Sequence, residues 1–269
     1  MMFEPLRQIF RSRAERRLPP QVPDGERYYV IGDIHGRLDL FEALIAGIDE
    51  DDARQGPART TAILLGDLVD RGPDSAGVIR RAMEWGGRRT VRFLAGNHEE
   101  MFLGAFNDVA KLRAFVRHGG RETILSYGID PERYNALSLD ELLRELPGLV
   151  PQEHRDFVAG FEEFIVAGDY AFVHAGIDPG RPMEEQDRQS LLWIRDRFLR
   201  HTGPHSHVVV HGHTIFDEVD DCGNRIGIDT GAYRTGRLTA LVLQGTGRRY
   251  LAAQDNGDSI SVEAVESTI

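Results

Sequence analysis

Gly32-Asp33-Ile34-His35-Gly36, Gly66-Asp67-Leu68-Val69-Asp70-Arg71-Gly72 and Gly96-Asn97-His98-Glu99 are three short loops, each entered from a run rich in β-branched or aliphatic residues. The feeder runs are residues 28–31, 61–65 and 91–94, and a helix-like pattern follows each loop. This predicts strand, loop, helix, three times over. After the first loop Leu38, Phe41, Leu44, Ile45 and Ile48 recur at helical spacing. After the second, Asp74 or Ser75 can cap a helix that runs to about Trp85. Such units join parallel strands by right-handed crossovers, and ligands gather beyond the carboxyl ends of the strands. Asp33, His35, Asp67, Asn97 and His98 are therefore expected to converge in one crevice.

Outward from these loops the pattern changes. Residues 100–160 read as helices anchored by Phe115-Val116, Leu142-Leu143 and Leu146, with a capping box at Ser138-Leu139-Asp140-Glu141 and turns at Gly119-Gly120 and Tyr127-Gly128. A helical stretch that interrupts an α/β pattern is expected to form a cap beside the crevice. Residues 164–166 and 170–173 then read as a hairpin ending at His174, and Val208–Val210 as a buried strand ending at His211-Gly212-His213. The remainder reads as short strands with glycine turns. Before all this, residues 3–17 put Phe3, Leu6, Ile9 and Phe10 on one side of a helix with arginines elsewhere, stopped by Pro19-Pro20. The expected organisation is a basic amphipathic helix over 1–19 and a single domain over 20–269 with a helical cap at about 100–160.

Composition narrows the class. A length of 269 residues with 41% apolar content is enough for a substantial core. Cys222 is the only cysteine, so no internal disulfide can form and a reducing compartment, the cytoplasm, is expected. No apolar run approaches membrane-spanning length, so no transmembrane segment is expected, and the N-terminal stretch carries arginines where an export signal would be apolar. A net charge of −11 argues against a general nucleic-acid binder, which needs a basic face to neutralise several phosphates. Lys111 is the sole lysine; the other basic residues are arginines, which suit bidentate phosphate contacts.

The loop residues fit a two-metal site. Paired ions in hydrolases sit about 3.5–4 Å apart and need one donor that touches both, a part suited to the Asp67 carboxylate. Asp33 and His35, two apart at a strand end, can hold the first ion; Asn97, His174 and His213 can hold the second. Two divalent ions carry four positive charges, of which Asp33, Asp67 and a bridging hydroxide cancel three, so the site still attracts phosphate. Mixed oxygen and imidazole donors fit Mn²⁺, Fe or Zn²⁺ better than Ca²⁺. Such ions lower the pKa of a shared water from 15.7 towards about 7. No serine or cysteine sits within the motifs, so attack on phosphorus is expected to be direct, without a phosphoenzyme.

The three loops, with His174-Ala175-Gly176 and Gly212-His213-Thr214, resemble the signature of the calcineurin-like metallophosphoesterases, specifically the bacterial phosphoprotein phosphatase branch of serine/threonine phosphatases, from Tyr28 to about Leu243. The resemblance implies a four-layer α/β/β/α sandwich with Asp33, His35 and Asp67 on one metal and Asp67, Asn97, His174 and His213 on the other. It implies His98 as general acid oriented by Asp70, Arg71 as a phosphate clamp and two divalent ions, Mn²⁺ foremost. In Leu192-Trp193-Ile194-Arg195 the bacterial members' tryptophan-to-arginine motif is recognisable, which makes Arg195 the candidate second clamp. Many metallophosphoesterases carry Gly-His-x-His; Gly212-His213-Thr214-Ile215 supplies one histidine, in keeping with the phosphoprotein branch. His211 is expected beside the site rather than on a metal, Asp229-Thr230-Gly231 is expected to serve a turn, and Tyr233 to pack.

The leading reading is hydrolysis of phosphoserine and phosphothreonine monoesters, on a phosphoprotein or a phosphorylated small molecule. The second is cleavage of dinucleoside polyphosphates, since symmetrical diadenosine-tetraphosphate hydrolases share these loops. The third is a non-catalytic metal-stabilised interaction module, against which the complete ligand set, His98 and Arg71 count.

Overall fold

The computed structural model describes residues 19–265; the helix expected over residues 3–17 lies outside them. The strands among the described residues are β1 Glu26–Ile31, β2 Arg59–Leu64, β3 Val91–Phe93, β4 Phe164–Ala167, β5 Tyr170–Val173, β6 Val208–His211, β7 Asp220–Asp221, β8 Arg225–Gly227, β9 Arg237–Gln244, β10 Gly247–Asp255 and β11 Ile260–Val265. The α-helices among the described residues are α1 Leu38–Arg54, α2 Ser75–Gly86, α3 Asn97–Gly104, α4 Val109–Phe115, α5 Arg121–Ser126, α6 Pro131–Ala136, α7 Leu139–Leu149, α8 Gln152–Ala159, α9 Arg188–Trp193, α10 Asp196–Leu199 and α11 Ala232–Thr235.

Two sheets form, in the orders β11-β10-β9-β1-β2-β3 and β4-β5-β6-β8-β7. The expected parallel set β1-β2-β3 lies in the first, closed on its other side by antiparallel β9. The expected hairpin is β4-β5, and β5, β6 and β8 run parallel.

Side-chain alternation along the strands explains the layering. In β1, Tyr29 and Ile31 join an apolar cluster with α1 and α2, whereas Tyr28 and Val30 join a second cluster with Phe172, Val208 and Val210 of the other sheet. In β5, Tyr170 and Phe172 face that second cluster, whereas Ala171 and Val173 meet Leu191 and Phe198 of α9 and α10. Three apolar seams thus separate four layers, helices, sheet, sheet, helices, which is the α/β/β/α sandwich. Strands buried on both faces read as nearly unbroken apolar runs, which is why they were visible in the sequence.

Phe172 is fully buried in the seam between the sheets, stacked on Tyr28 at 6.0 Å and Tyr170 at 6.5 Å between ring centroids. Phe172→Ala is expected to cost about 3–5 kcal/mol of stability, read as a lower urea midpoint at unchanged slope. A midpoint within error of the parent would mean that the two sheets do not share this core.

Helices α3 to α8 fill residues 97–159 and bury Phe102, Phe115, Ile124, Leu142, Leu146 and Val158 in the cluster shared with α1 and α2. The Ser138 capping box forms as expected, and Asp74 caps α2, its side chain accepting from the Gly77 N–H at 2.7 Å. The helical stretch begins at Asn97, three residues earlier than its apolar pattern suggests. Its first residues are therefore the third loop motif itself.

Candidate dinuclear metal centre

The loops that leave β1, β2, β3, β5 and β6 are laced together by their own backbones. The N–H groups of Ile34 and His35 donate to the Asp67 carbonyl at 3.2 and 2.9 Å, and Gly212 N–H donates to the His174 carbonyl at 2.8 Å. The buried Glu99 carboxylate accepts from the N–H groups of Asp67 and Leu68 at 2.8 Å and of Gly96 at 2.9 Å, tying the second loop to the third. Glycine is required at 96 because a Cβ there would run into the Asp67 side chain. The Asp33 carboxylate accepts from the His213 N–H at 3.0 Å, so the first loop is tied to the last.

Five non-glycine residues among those described have positive φ: His35 at 47°, Asp67 at 51°, Asp70 at 74°, Arg71 at 68° and His213 at 63°. Each was singled out in the sequence as a candidate site residue. A left-handed conformation costs a non-glycine residue roughly 1–2 kcal/mol, and it persists where the surrounding structure over-determines it.

Asp67 lies at the centre. One carboxylate oxygen, Oδ2, is 3.6 Å from His35 Nε2 and 3.9 Å from His98 Nε2; the other, Oδ1, is 3.4 Å from His174 Nε2. Donor atoms of His35, Asp67 and His98 form one group within 4.8 Å of one another, and those of Asp67, His174 and His213 form another. Asn97 Oδ1 is 3.0 Å from His174 Nε2 and 2.8 Å from His213 Nδ1. Asp33, expected on the first ion, lies in neither group; its carboxylate accepts from the His213 N–H and faces Asp229, and burial with that neighbour raises it well above the usual carboxyl range.

The donor chemistry fits cations. His174 Nδ1 sits 2.8 Å from the Leu65 carbonyl and His35 Nδ1 2.8 Å from the Val69 carbonyl, contacts that require each Nδ1 to carry the proton. In the neutral rings both Nε2 atoms then present lone pairs, and that of His174 faces two oxygens, which a cation or an added proton would satisfy. His213 Nε2 is buried without a partner. Second contacts of this kind, from imidazole N–H to a carbonyl, are what orient metal-ligating histidines.

Burial separates the titrations. It holds His35 well below the usual imidazole range and drives His213 down to about 2, which favours the neutral ring in both. Burial raises the Asp67 carboxyl, but His174, His98 and His35 outweigh it and hold it well below the usual range. For His98, burial is outweighed by Asp67 and Asp70, which raise it. Its Nδ1 is 2.6 Å from Asp70 Oδ2. Arg71 spans the two rings, with Nη1 2.9 Å from His35 Nε2 and Nη2 2.9 Å from His98 Nε2. Arg195 is exposed, close enough to His213 to depress its protonation further.

A family model described as calcineurin-like phosphoesterase matches residues 26–232. The chain is a calcineurin-like phosphoesterase. It is 36% identical over 157 residues to a symmetrical bis(5'-nucleosyl)-tetraphosphatase of Acidovorax sp. strain JS42, covering 58% of this chain and 46% of that one. The chain thus spans about half the length of the tetraphosphatases it matches. It is 27% identical over 221 residues to serine/threonine-protein phosphatase 2 of Escherichia coli K12, covering 78% of this chain and 90% of that one. Among solved structures, a candidate diadenosine tetraphosphatase shares 22% identity at a TM-score of 0.59, with 89% of this chain and 100% of that one covered. A protein serine/threonine phosphatase from Saccharomyces cerevisiae shares 16% at 0.51, with 93% and 85% covered. These likenesses show the fold.

Several residues of this calcineurin-like phosphoesterase surround the centre without being expected, from sequence, to take part in its chemistry. Glu99 ends the third motif, yet its grip on the Asp67 backbone needs the fold to bring them together; burial, with Asp67 beside it, pushes its carboxyl up to about 7. Asp229 does serve the expected turn, its side chain accepting from the Gly231 N–H at 2.9 Å, but it also faces Asp33. Tyr233 does pack, with the Arg71 guanidinium 4.8 Å above its ring and the His35 ring 5.3 Å away. His211 lies in neither donor group; it sits against Phe198 and Phe216, and burial lowers it to about 4.

Proposed function

We propose that the protein hydrolyses phosphoserine and phosphothreonine monoesters with two divalent ions, Mn²⁺ foremost and Fe or Zn²⁺ as alternatives. The observation that carries this reading is the sharing of Asp67 between two donor groups, one of which includes His98, with Asp70 on the other nitrogen of that ring and Arg71 alongside. Asp33, His35 and Asp67 would hold one ion, and Asp67, Asn97, His174 and His213 the other. When bound, the ions supply a nucleophilic hydroxide at neutral pH and neutralise phosphoryl oxygens.

The chain's own residues do the rest. Burial keeps His35 and His213 free to bind cations, whereas Asp67 and Asp70 favour protonation of His98. Burial lowers His174 too, but Asp67 outweighs it and raises that ring, so a cation held there would displace a proton. Arg71 donates to His98 Nε2 here; once it turns away, that nitrogen can carry a proton and give it to the leaving serine or threonine oxygen, while Asp70 holds the opposite ring nitrogen. Arg71, whose two terminal nitrogens rest on the His35 and His98 rings, turns them to two phosphoryl oxygens, with Arg195 as the second clamp. The cytoplasm suits the exposed Cys222 thiol, the chain's one cysteine.

The phosphatase reading is supported by a match over nine-tenths of the E. coli phosphatase; the higher identity to the Acidovorax protein favours cleavage of dinucleoside polyphosphates as the second reading. A Mn²⁺-loaded preparation offered a phosphopeptide panel and diadenosine tetraphosphate in parallel is expected to turn over phosphopeptides with the higher kcat/KM. The reverse order would establish the second reading. Turnover of neither would leave an interaction module.

A further inference from the structure

The turn that carries Asp70 and Arg71 is held by the helical stretch rather than by its own loop alone. Thr123 on α5 is fully buried, and its hydroxyl oxygen accepts from the Asp70 N–H at 2.8 Å while donating to Asp70 Oδ1 at 2.6 Å. A hydroxyl has a single proton, so this pair of contacts fixes it, and Ser75 Oγ at 2.9 Å must then donate to Thr123. Just before α5, a π-helical turn over Val116–Gly120 brings the Gly119 carbonyl to accept from the Arg71 N–H at 3.1 Å. Gly119 has φ 109°, and a Cβ there would come within 2.8 Å of Arg71 Cγ, so the turn sits tightly over the arginine. Just after Thr123, Ser126 Oγ accepts from the Ala76 N–H at 3.0 Å. One short segment therefore holds residues 70, 71 and 76 together.

A carboxylate that pairs with an imidazole through one oxygen is free to rotate about its χ2 unless the other oxygen is bound. Thr123 binds that other oxygen, leaving Oδ2 aimed at His98 Nδ1. We propose that Thr123 is a positioning residue for the proton donor, so that the helical segment bordering the site sets how well a poor leaving group is protonated. This rests on the reading of His98 as the acid, and deepens it. The hydroxyl, not the bulk of the side chain, carries the role.

The test uses the Mn²⁺-loaded full chain with a phosphoserine peptide and a series of aryl phosphates of decreasing leaving-group acidity. Thr123→Val is expected to lose about 10–100-fold in kcat on the peptide, the range for outer hydrogen-bond partners of a site, and far less on nitrophenyl phosphate. Its dependence on leaving-group pKa should steepen towards that of His98→Asn, and Thr123→Ser should restore the parent slope. A uniform loss across the series, or none, would overturn the proposal while a selective loss in His98→Asn leaves the acid reading intact. Should His98→Asn itself show no selectivity, the acid reading falls and this proposal with it. Thr123→Ala, which needs less room than threonine, repeats the measurement if Thr123→Val does not fold.

Discussion

Asp67→Asn is expected to cut phosphoester turnover by about a thousand-fold or more and to leave fewer than two tightly held divalent ions per chain. Lewis-acid stabilisation by catalytic ions is worth several kcal/mol, and each 1.36 kcal/mol is tenfold in rate, which gives the scale. The geometry gives the reason. Asp67 Oδ2 faces His35 and Oδ1 faces His174, so each donor group depends on a different oxygen of the same side chain. An amide keeps one oxygen and replaces the other with an N–H donor, which repels a cation. Volume is conserved, so a folding defect is not expected, and circular dichroism would verify that. Metal content of the purified variant and titration calorimetry read the outcome; two tight sites in the Asn variant would remove Asp67 from its bridging place. Chelator-stripped parent protein should lose the same activity and regain it with Mn²⁺.

His98→Asn is expected to retain both ions and lose about 10²–10⁴-fold on a phosphoserine peptide, with a much smaller loss on nitrophenyl phosphate. An alkoxide leaving from serine has a conjugate acid far above neutral pH and needs a proton, whereas nitrophenolate scarcely does. His98 follows Asn97 directly at the start of α3, so its backbone is fixed by the same N-terminus that presents Asn97, and its N–H donates to Asp67 Oδ1 at 3.0 Å. The asparagine variant keeps that backbone contact while losing the titrating ring. Asp70→Asn should follow the same pattern more weakly, since Asp70 contacts the ring and not the substrate. Equal loss on both substrates with metal content unchanged would mean that His98 binds phosphate instead.

The parts of the site legible in the sequence are those where chemistry coincides with a strand end. Apolar runs stop at Ile31, Leu65, Val173 and Val210, and the polar residues just beyond them are the ones gathered in the crevice. Contacts made across the fold left no such trace. Thr123 lies 53 residues from Asp70 and reads as one polar position in a six-residue helix. Asp229 sits before a glycine turn and serves it, so its local reading is complete without Asp33. The start of α3 leaves no mark in the sequence because Gly96 takes the N-cap place where a serine or threonine would announce it, with Glu99 reaching back to the Gly96 N–H.

The left-handed backbone at His35, Asp67, Asp70, Arg71 and His213 bears on any attempt to make this protein more heat-resistant. Glycine would relax each of these positions, most cleanly at Arg71, the one among them that is not buried. A library screened for stability alone would therefore drift towards chains that melt later and catalyse nothing, because the conformations that cost stability are those that aim the reactive side chains. Selection for durability in this fold has to be coupled to turnover at every round.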